Sequence, residues 1–348
     1  MASLKNGRFF GYNNHMIDVL NRYYDFIIID SVNFAYKIFR HKDEEPIQIG
    51  KKLVYKDSIC AFIRAIESMV KQYLKDTGEV FLLFDNYFSK ADLKSMFIYT
   101  DRKSLDESYK ANRDKDTKEF YNSLNFLRYF YLIGPKKYHT VRIDNLEADD
   151  LVPPVIKKFM NTKDGSEKTA LLVTSDLDWT RYLTPDIDWL PKLNEPPQTC
   201  EDLSKKMGFE VSCQNMVMYK VLFGDPSDNI DPITSCNEQH FEEFLELIRL
   251  GKSADDLVFM SRDADLCKKY TLLADIQKPD KKRKSSTKEA LVKINTQLVT
   301  AIPCSIGSLE SHLTTGREAE SLYKTIREAI GLDAYQKFVF GDLKGIRI

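Results

Sequence analysis

Three short runs of consecutive apolar residues stand out along the chain, and an acidic residue follows each of them. Runs of four or five residues rich in Ile, Val and Phe are typical of strands buried on both faces, as in a parallel sheet covered by helices. The segment 58–74 has helical periodicity, so the pattern alternates between strand and helix and predicts an α/β fold. The runs and the acids behind them are 26–29 with Asp30, 80–84 with Asp85, and 170–173 with Asp176 and Asp178.

Further acidic residues lie close to these strand ends in the sequence. In parallel sheets, ligands bind at the edge formed by the carboxyl ends of the strands, so acids that follow successive strands are expected to meet there. The stretch NLEADDLV, ahead of the third run, and the turn-rich loop FGDPSDNI supply Glu147, Asp149, Asp150, Asp225 and Asp228. The pattern therefore predicts a strongly acidic pocket at one edge of the sheet.

An acidic pocket of this kind is suited to metal ions. Carboxylates without neighbouring His or Cys ligands favour hard divalent cations, with Mg²⁺ first and Mn²⁺ as a substitute. The set exceeds what one ion uses, whereas two ions about 4 Å apart would use it and stabilise the attacking and leaving oxygens of a phosphodiester. Any single acid is more often a turn or helix-cap residue, and Asp186 and Asp188 show the same local pattern without an assigned role. It is the combination at successive strand ends that indicates a metal site.

Composition narrows the setting of this site. The 348 residues are 43% hydrophobic and 30% charged, which is typical of a globular protein with a sizeable core. The net charge of −1 means that a nucleic-acid role needs a local basic surface. Six scattered cysteines without a CxxC pair favour reduced thiols in a cytoplasmic setting and argue against a zinc site. No apolar run approaches the ~18 residues of a membrane span, and the first residues lack the apolar core of a signal peptide.

Six motifs in a fixed order resemble those of a known family. The segments IIIDSVN, LFDN, SYKANRDK, LEADDLV, TSDLDW and FGDPSDNI are similar to the motif series of the flap-endonuclease and 5′–3′ exonuclease family. The similarity is greatest to bacteriophage members, which include the phage ribonuclease H of this family. The resemblance implies a PIN-like domain, in which helices flank a central twisted parallel sheet. It also implies a site with two Mg²⁺ ions that hydrolyses phosphodiesters near the 5′ ends of DNA or RNA.

The resemblance assigns roles residue by residue. The group around the first ion would comprise Asp30, Asp85, Glu147, Asp149 and Asp150. The group around the second ion would comprise Asp176, Asp178 and Asp228, with Asp225 beside them. In SYKANRDK, Lys110 and Arg113 match a basic pair that meets the scissile phosphate at the foot of a helical arch, about residues 87–120. Tyr109 matches an aromatic residue on which an unpaired base stacks, and water would be the nucleophile.

The later part of the chain is expected to be a mostly helical DNA-binding region, 196–348, that follows a nuclease core of residues 1–195. Many relatives follow the SDN segment with a glycine-rich hairpin that grips duplex phosphates and K⁺. Here NIDPITSCNEQHFEEF has neither glycine nor lysine, which counts against that K⁺ site and leaves a degenerate helix-hairpin-helix-type segment. Its helix is expected to begin with a capping box of Ser235 and Glu238 and to end at Gly251.

Two local features of the chain modify this expectation. Pro153 and Pro154 follow the acidic stretch at once, so we expect the helix carrying Glu147 to Asp150 to kink or to be very short. The segment of about residues 277–288 is basic and poor in apolar residues, and is either a flexible, solvated linker or a substitute duplex contact. Its candidate contact residues are Lys281, Lys282, Arg283 and Lys284.

Together these features predict a Mg²⁺-dependent, structure-specific 5′ nuclease that removes RNA primers or 5′ flaps during replication. The expected substrate is DNA with a 5′ flap, a nick or an RNA primer, and candidate protein partners are a single-strand-binding protein and a sliding clamp. A cytoplasmic monomer without membrane contact is expected, in the host cytoplasm for a phage protein. Two alternatives stay open: a PIN-type ribonuclease, and a non-catalytic nucleic-acid-binding protein that keeps the fold. The long motif series counts against the former, and the presence of every matched acid counts against the latter.

Overall fold

A computed structural model describes residues 22–39, 44–49, 51–85, 117–132, 137–143, 146–160, 168–302 and 304. Its strands, in chain order, are β1 (Tyr24–Asp30), β2 (Ile47–Ile49), β3 (Lys52–Val54), β4 (Leu74–Leu83), β5 (Tyr138–Val141), β6 (Ala170–Val173) and β7 (Ile187–Leu190). Five of them form one parallel sheet in the order β5–β4–β1–β6–β7, and β2 and β3 pair as a separate antiparallel hairpin.

The described helices flank this sheet and make up most of the later chain. The first four are α1 (Ser31–Ile38), α2 (Lys56–Tyr73), α3 (Lys118–Leu132) and α4 (Ala148–Phe159), and a 3₁₀ helix follows β6 at Leu177–Tyr182. The remaining seven are α5 (Cys200–Met207), α6 (Cys213–Phe223), α7 (Glu238–Arg249), α8 (Ala254–Met260), α9 (Ala264–Lys269), α10 (Thr271–Ile276) and α11 (Glu289–Val299). No helix within these ranges is long and apolar enough to cross a membrane.

The three strands predicted from apolar runs are confirmed and lie side by side. β1 is central, and all seven of its residues are buried because helices cover both faces of the sheet. The register pairs Asp30 with Leu83 of β4 and Ile29 with Val173 of β6. The carboxyl ends of β4, β1 and β6 therefore share one edge, which is the arrangement that the sequence predicts for the acids.

The sheet separates two hydrophobic cores, and the later helices contribute to one of them. Alternate side chains of a strand point to opposite faces, so Ile27 and Ile29 enter one core and Ile28 enters the other. The Ile28 core also contains Leu222 of α6 and Val299 of α11. Helices on both sides of the proposed boundary at residue 195 thus pack into one core, and the division into two domains stays a prediction.

The helix that carries the acidic stretch does not stop at the two prolines. The expectation of a very short helix is wrong, because α4 continues through Pro153 and Pro154 to Phe159. Proline lacks the N–H that would bond the carbonyl four residues earlier, which here belongs to Asp149 and Asp150. Contacts from outside the helix reach both carbonyls: the Tyr182 hydroxyl donates to the Asp149 oxygen at 3.4 Å, and the Cys304 thiol to the Asp150 oxygen at 3.5 Å.

The segment that stands in place of a glycine-rich hairpin is pinned by its backbone to α6. The N–H groups of Ile233 and Thr234 both donate to the carbonyl of Leu222. The expected capping box at Ser235 is wrong: α7 begins at Glu238 with Asn237 as N-cap, whose side chain accepts from the N–H of His240 at 2.8 Å. The carbonyl of Ser235 contacts the His240 ring instead, at 3.0 Å from Nδ1.

Candidate metal centre

Asp30 stands at the end of β1 and links two strand ends. Its Oδ1 accepts from the N–H of Asn33 at 3.0 Å, which caps α1, and its Oδ2 accepts from the Thr174 hydroxyl at 3.1 Å, directly after β6. Asn33 in turn accepts from the N–H and the hydroxyl of Ser175, both at 2.9 Å. These hydrogen bonds fix the geometry of the strand ends from which the acidic side chains extend.

The Asp30 carboxylate lies in a strongly negative environment. Burial raises its pKa well above the ordinary value for an aspartate, and the charge of Asp85 raises it further. Asp149 and Asp176 act in the same direction, whereas the hydrogen bond from the Asn33 N–H partly opposes them. Three of the predicted acids therefore surround Asp30 closely enough to affect its protonation, as the sequence predicts for acids at adjacent strand ends.

Asp85 and Asp149 meet at the amino end of α4. Asp85 follows β4, and its Oδ1 accepts from the N–H of Ala148, the first residue of α4, at 2.6 Å. Asp149 is the next helical residue and is buried. The first N–H groups of a helix carry partial positive charge, so this helix end stabilises the carboxylates gathered around it.

Asp150 differs from its neighbours because both of its oxygens accept backbone hydrogen bonds. Oδ2 accepts from the N–H of Glu147 at 3.1 Å, and Oδ1 accepts from the N–H of Ile302 at 2.8 Å. The residue is completely buried. Asp150 thus ties the start of α4 to the segment that follows α11, and Glu147, the half-buried N-cap residue, precedes it.

Asp176 and Asp178 are held at the start of the 3₁₀ helix. The Asp176 carboxylate caps this helix by accepting from the N–H of Asp178 at 2.9 Å. Burial raises the pKa of Asp176 to about 7, with further contributions from the charges of Asp178 and Asp149. Functional sites commonly contain carboxylates whose pKa is raised in this way, because they are costly to ionise without a counter-charge.

Asp225 and Asp228 lie on a six-residue turn, Asp225 to Ile230, which we call the acidic turn. Its first and last residues exchange two backbone hydrogen bonds of 2.9 and 3.1 Å, and Asn229 has the left-handed φ of 59°. The Asp225 Oδ1 accepts from the N–H of Ser227 at 2.9 Å and from its hydroxyl at 2.6 Å. Gly224 is required before the turn, since a Cβ there would lie 2.7 Å from the Ile230 carbonyl oxygen and its φ is +77°.

The acidic turn and the 3₁₀ helix bring three carboxylates together. Among the described residues, Asp178, Asp225 and Asp228 form the one set of acidic, His or Cys side chains that offers three ligand atoms within 4.8 Å of one another. This set falls within the group predicted for the second ion. Of the first group, Asp85 and Asp149 lie close enough to Asp30 to affect its pKa, whereas the Asp150 carboxylate accepts backbone hydrogen bonds.

Lys220 was not predicted from the sequence, and it lies inside this set. Its Nζ donates to the Asp225 Oδ2 at 2.6 Å and also contacts the Asp178 Oδ1, and the side chain is buried. Burial by itself would lower the pKa of Lys220, but Asp178 and Asp225 outweigh it and raise that pKa. Lys220 lies five residues before Asp225, and no local pattern distinguishes it from the other lysines of the helical region.

Arg181 is a second buried cation that the sequence did not indicate. Its Nη1 donates to the carbonyl of Val299 at the end of α11, and the charges of Asp178 and Asp149 act on it. Within the described part of the chain, its Nε and Nη2 have no hydrogen-bond partner. Arg181 thus adds positive charge next to the acids and connects the 3₁₀ helix to the last described helix.

The donor set fits a hard divalent cation. All of the gathered ligand atoms are carboxylate oxygens, the ligands that Mg²⁺ and Mn²⁺ prefer, and their mutual repulsion falls when a cation lies among them. Lys220 already neutralises part of the charge on the Asp178 side. The remaining negative charge lies towards Asp30, Asp149 and Asp176.

The remaining predicted residues are distributed as follows. Tyr109, Lys110 and Arg113, with most of the arch, lie outside the described residues. The basic residues 281–284 form a turn between α10 and α11. Asp188, to which no chemistry was assigned, is buried in β7, where it accepts from the Tyr24 hydroxyl at 2.6 Å and from Arg22 at 3.0 Å.

A parallel α/β sheet with carboxylates gathered at its carboxyl edge, followed by packed helices, is the architecture that the motifs predict for a PIN-like 5′ nuclease. Residues 25–208 match the family model described as 5'-3' exonuclease, N-terminal resolvase-like domain. The chain belongs to this family of 5′–3′ exonucleases and flap endonucleases, as its motifs predict.

Individual relatives are distant. Flap endonuclease Xni of Shewanella pealeana is 28% identical over 148 residues, which are 42% of this chain and 54% of that protein. DNA polymerase I of Caldicellulosiruptor bescii is 27% identical over 151 residues, which are 42% of this chain and 17% of that protein. The chain therefore spans about half the length, or less, of the curated relatives it matches.

Solved structures of bacteriophage T5 proteins have the same fold. A T5 protein co-crystallised with metal ions has a TM-score of 0.56 at 16% identity, over 88% of this chain and 99% of that chain. The T5 flap endonuclease in a pseudo-enzyme-product complex with DNA and metal ions has a TM-score of 0.55 at 17% identity, with the same coverage. At these identities the likeness concerns the fold alone, and it confirms the predicted PIN-like architecture.

Proposed function

We propose that this chain is a divalent-metal-dependent, structure-specific 5′ nuclease. It would hydrolyse phosphodiesters near the 5′ ends of DNA or RNA–DNA and so remove RNA primers or 5′ flaps during replication. The observation that carries the proposal is the convergence of acids from four separate parts of the chain: the end of β1, the end of β4 with the start of α4, the 3₁₀ helix, and the acidic turn. Family membership supports the same reaction class.

The side chains divide the work as follows. One Mg²⁺ ion would be surrounded by Asp30, Asp85, Glu147 and Asp149. The other would be surrounded by Asp176, Asp178 and Asp228. Asp225 lies beside this second group, where it accepts from Ser227 and Lys220. Bound Mg²⁺, or Mn²⁺ in its place, would supply positive charge for the developing charge on the reacting phosphate. Asp150 would position the start of α4 through its bonds to Glu147 and Ile302.

Residues of the predicted arch would complete the site. Lys110 and Arg113 would contact the scissile phosphate, because a compact ammonium and a planar guanidinium both stabilise phosphate charge. Tyr109 would stack on an unpaired base, a contact that tolerates any sequence and suits an enzyme that recognises structure. Within such a role, a single-strand-binding protein or a sliding clamp would be a partner, and we expect the protein to act as a monomer.

Cleavage of labelled substrates tests the proposal. The substrates are 5′-labelled flap DNA, nicked duplex, an RNA–DNA hybrid and a single strand, each with Mg²⁺ or with EDTA. We expect Mg²⁺-dependent cleavage near the 5′ end, which Asp149→Ala and Asp176→Ala abolish while both variants still bind DNA in EDTA. Asp186→Ala is the matched control, because Asp186 is a half-buried acid beside Arg22 at the amino end of β6, away from the gathered carboxylates. Cleavage that persists in EDTA, or an equal loss in the control, would overturn the proposal.

A further inference from the structure

A second turn in the helical region has the backbone geometry of the acidic turn but the opposite charge. Residues Asp280 to Ser285, which we call the basic turn, exchange backbone hydrogen bonds of 3.0 and 3.1 Å between their first and last members. The Asp280 Oδ1 accepts from the N–H of Lys282 at 3.0 Å. In the acidic turn, the Asp225 Oδ1 likewise accepts from the N–H of Ser227, two residues later. Lys284, at the fifth position, has a left-handed φ of 53°.

The lysine at that position is unusual for its backbone conformation. Left-handed residues are mostly Gly or Asn, and the acidic turn has Asn229 at the same place. A lysine there costs backbone energy that Gly would avoid, while it adds a charge at the tip of an ordered turn. The four residues between Asp280 and Ser285 are all cationic, and Lys281, Lys282 and Lys284 are exposed. The run is therefore a formed basic surface in this structure, although its predicted flexibility stays a prediction.

The basic turn is attached to the segment that follows the acidic turn. Lys282 Nζ donates to the Asp231 Oδ2 at 2.7 Å, and Arg283 Nη1 lies 3.4 Å from the same oxygen and 3.3 Å from the Asp280 Oδ2. Asp231 comes directly after the acidic turn, and its carbonyl accepts from the buried Asn295 side chain of α11 at 2.8 Å. The two turns are thus held next to each other through Asp231.

The charges of the basic turn are only partly balanced inside the protein. Asp231 and Asp280 face Lys282 and Arg283, whereas Lys281 and Lys284 have no acidic partner among the described residues. A ligand with closely spaced negative charges would be attracted to this surface and would compete with Asp231 for Lys282 and Arg283. The phosphate backbone of a duplex has that charge spacing, and lysines and arginines on a preformed surface are its usual partners.

We propose that the basic turn binds the phosphate backbone of duplex nucleic acid beside the metal centre, with Asp231 as the internal counter-charge that the phosphates displace. The proposal rests on the proposed function in taking a polynucleotide as the substrate. It assigns a duplex contact to the connection between α10 and α11, in a chain whose α6–α7 segment lacks the glycine-rich hairpin. The acidic turn, which Asp231 directly follows in the chain, would then lie next to the strand held by the basic turn.

Binding measurements in EDTA test the proposal independently of cleavage. The probe is a fluorescein-labelled 20-base-pair duplex, and its Kd is measured by anisotropy over a range of salt concentrations. For the double variant Lys281→Gln/Lys284→Gln we expect about 10-fold weaker binding at 0.1 M salt and a salt slope smaller by about 2, since two phosphate contacts are lost. For Asp231→Asn we expect tighter binding, by about 2-fold to 5-fold, because the competing counter-charge is removed.

Matched controls separate a local contact from general electrostatics. Lys205→Gln/Lys268→Gln removes two exposed lysines from other helices, at 67% and 78% side-chain exposure, and should leave the Kd within about 2-fold. Equal loss in this control, or unchanged duplex affinity in the basic-turn variant, would overturn the proposal and would leave an acidic protein surface as the ligand to test. Failure of the proposed function is distinguishable, because it would appear as a lack of Mg²⁺-dependent cleavage by the unmodified protein whatever its duplex affinity.

Discussion

The ammonium of Lys220 lies 2.6 Å from Oδ2 of Asp225 and also contacts Oδ1 of Asp178. A buried lysine therefore joins the 3₁₀ helix after β6 to the acidic turn after α6, two elements that are distant in the chain. Burying these charges is costly, and their mutual attraction offsets that cost only while all three are present. This relationship makes the stability of the metal-free protein depend on one cation.

Replacement of Lys220 by Met should destabilise the metal-free protein. The change leaves two buried carboxylates without their counter-charge, so we expect the free energy of unfolding in EDTA to fall by about 3 kcal/mol. Added Mn²⁺ should recover part of this loss, because a bound cation replaces the missing charge. Urea unfolding followed by circular dichroism, in EDTA and in Mn²⁺, measures both effects.

The control for this variant is Lys192→Met. Lys192 forms an exposed ion pair with Glu195 at 2.6 Å, and exposed pairs contribute little, so we expect a change below about 1 kcal/mol and no rescue by Mn²⁺. If Lys220→Met behaved like this control, the buried ion pairs would not support the fold.

Asp176 and Asp150 should respond in opposite directions when they are neutralised. Burial and the charges of Asp178 and Asp149 raise the pKa of Asp176 to about 7, so the folded protein retains a proton that the unfolded chain gives up near pH 4. Its contribution to stability is complete below about pH 4 and is lost as the pH rises through about 7. Asp176→Asn should therefore stabilise the protein by about 1–3 kcal/mol at pH 8 in EDTA, and by much less at pH 5.

Asp150→Asn should instead destabilise the protein at both pH values, by about 1–2 kcal/mol. The side-chain amide has one accepting oxygen, and its NH2 group cannot accept, so the N–H of either Glu147 or Ile302 loses its acceptor. Thermal unfolding of both variants in EDTA gives the comparison. Stabilisation by Asp150→Asn would mean that its two backbone bonds are not needed.

The prolines of α4 provide a test of how the helix is supported. Pro153→Ala restores an N–H that can bond the Asp149 carbonyl, and we expect a gain of about 1 kcal/mol after allowing for the freer unfolded chain. Tyr182→Phe should cost about 0.5–1 kcal/mol in the natural sequence, because its hydroxyl contacts that carbonyl. In the Pro153→Ala background the cost should be smaller, and a double-mutant cycle of unfolding free energies measures the coupling. Additive effects would exclude a shared carbonyl.

Glu67 on α2 provides a pH test away from the metal centre. Burial raises its pKa to about 7, against a smaller opposing effect of Lys137. The folded state therefore binds this proton more tightly than the unfolded state, and stability is lost as the pH rises from about 4.5 through 7. Glu67→Gln removes that dependence. The side chain is only half-buried and solvent screening reduces the effect, so the stability of the variant relative to the unmodified protein should improve by about 1–2 kcal/mol between pH 5 and pH 8. The free energies of unfolding of both proteins are measured at the two pH values. An equal difference between them at pH 5 and pH 8 would contradict the raised pKa of Glu67.

Sequence alone was sufficient for the three middle strands of the central sheet, β4, β1 and β6, and for the acids at their carboxyl ends, whereas the outer strands β5 and β7 were not predicted. The strands at β1, β4 and β6 are apolar without interruption because helices cover both faces, and this pattern is local and easily recognised. Asp30 is the last residue of β1, and Asp85 and Asp176 come shortly after β4 and β6, so parallel pairing brings them to one edge without further information. The order of the motifs was also enough to predict the family.

Only the tertiary structure revealed which charges and hydrogen bonds make this edge stable. Lys220 and Arg181 look like ordinary helical cations in the sequence, and they become part of the site because α6 and the 3₁₀ helix pack against each other. Asp150 is adjacent to Asp149 in the chain, yet its carboxylate is occupied by Glu147 and by Ile302, a residue far along the chain.

The continuation of α4 through Pro153 and Pro154 likewise depends on contacts that only the folded chain provides. Local rules predict an early end, because each proline removes a helical hydrogen bond. Tyr182 and Cys304 donate to the two carbonyls that lack a helical donor, and neither residue can be identified from the neighbouring sequence. Strand patterns and strand-end acids are encoded within a few residues, whereas partners that satisfy a buried charge or carbonyl are brought close only by folding, and so they depend on the packing of the whole chain.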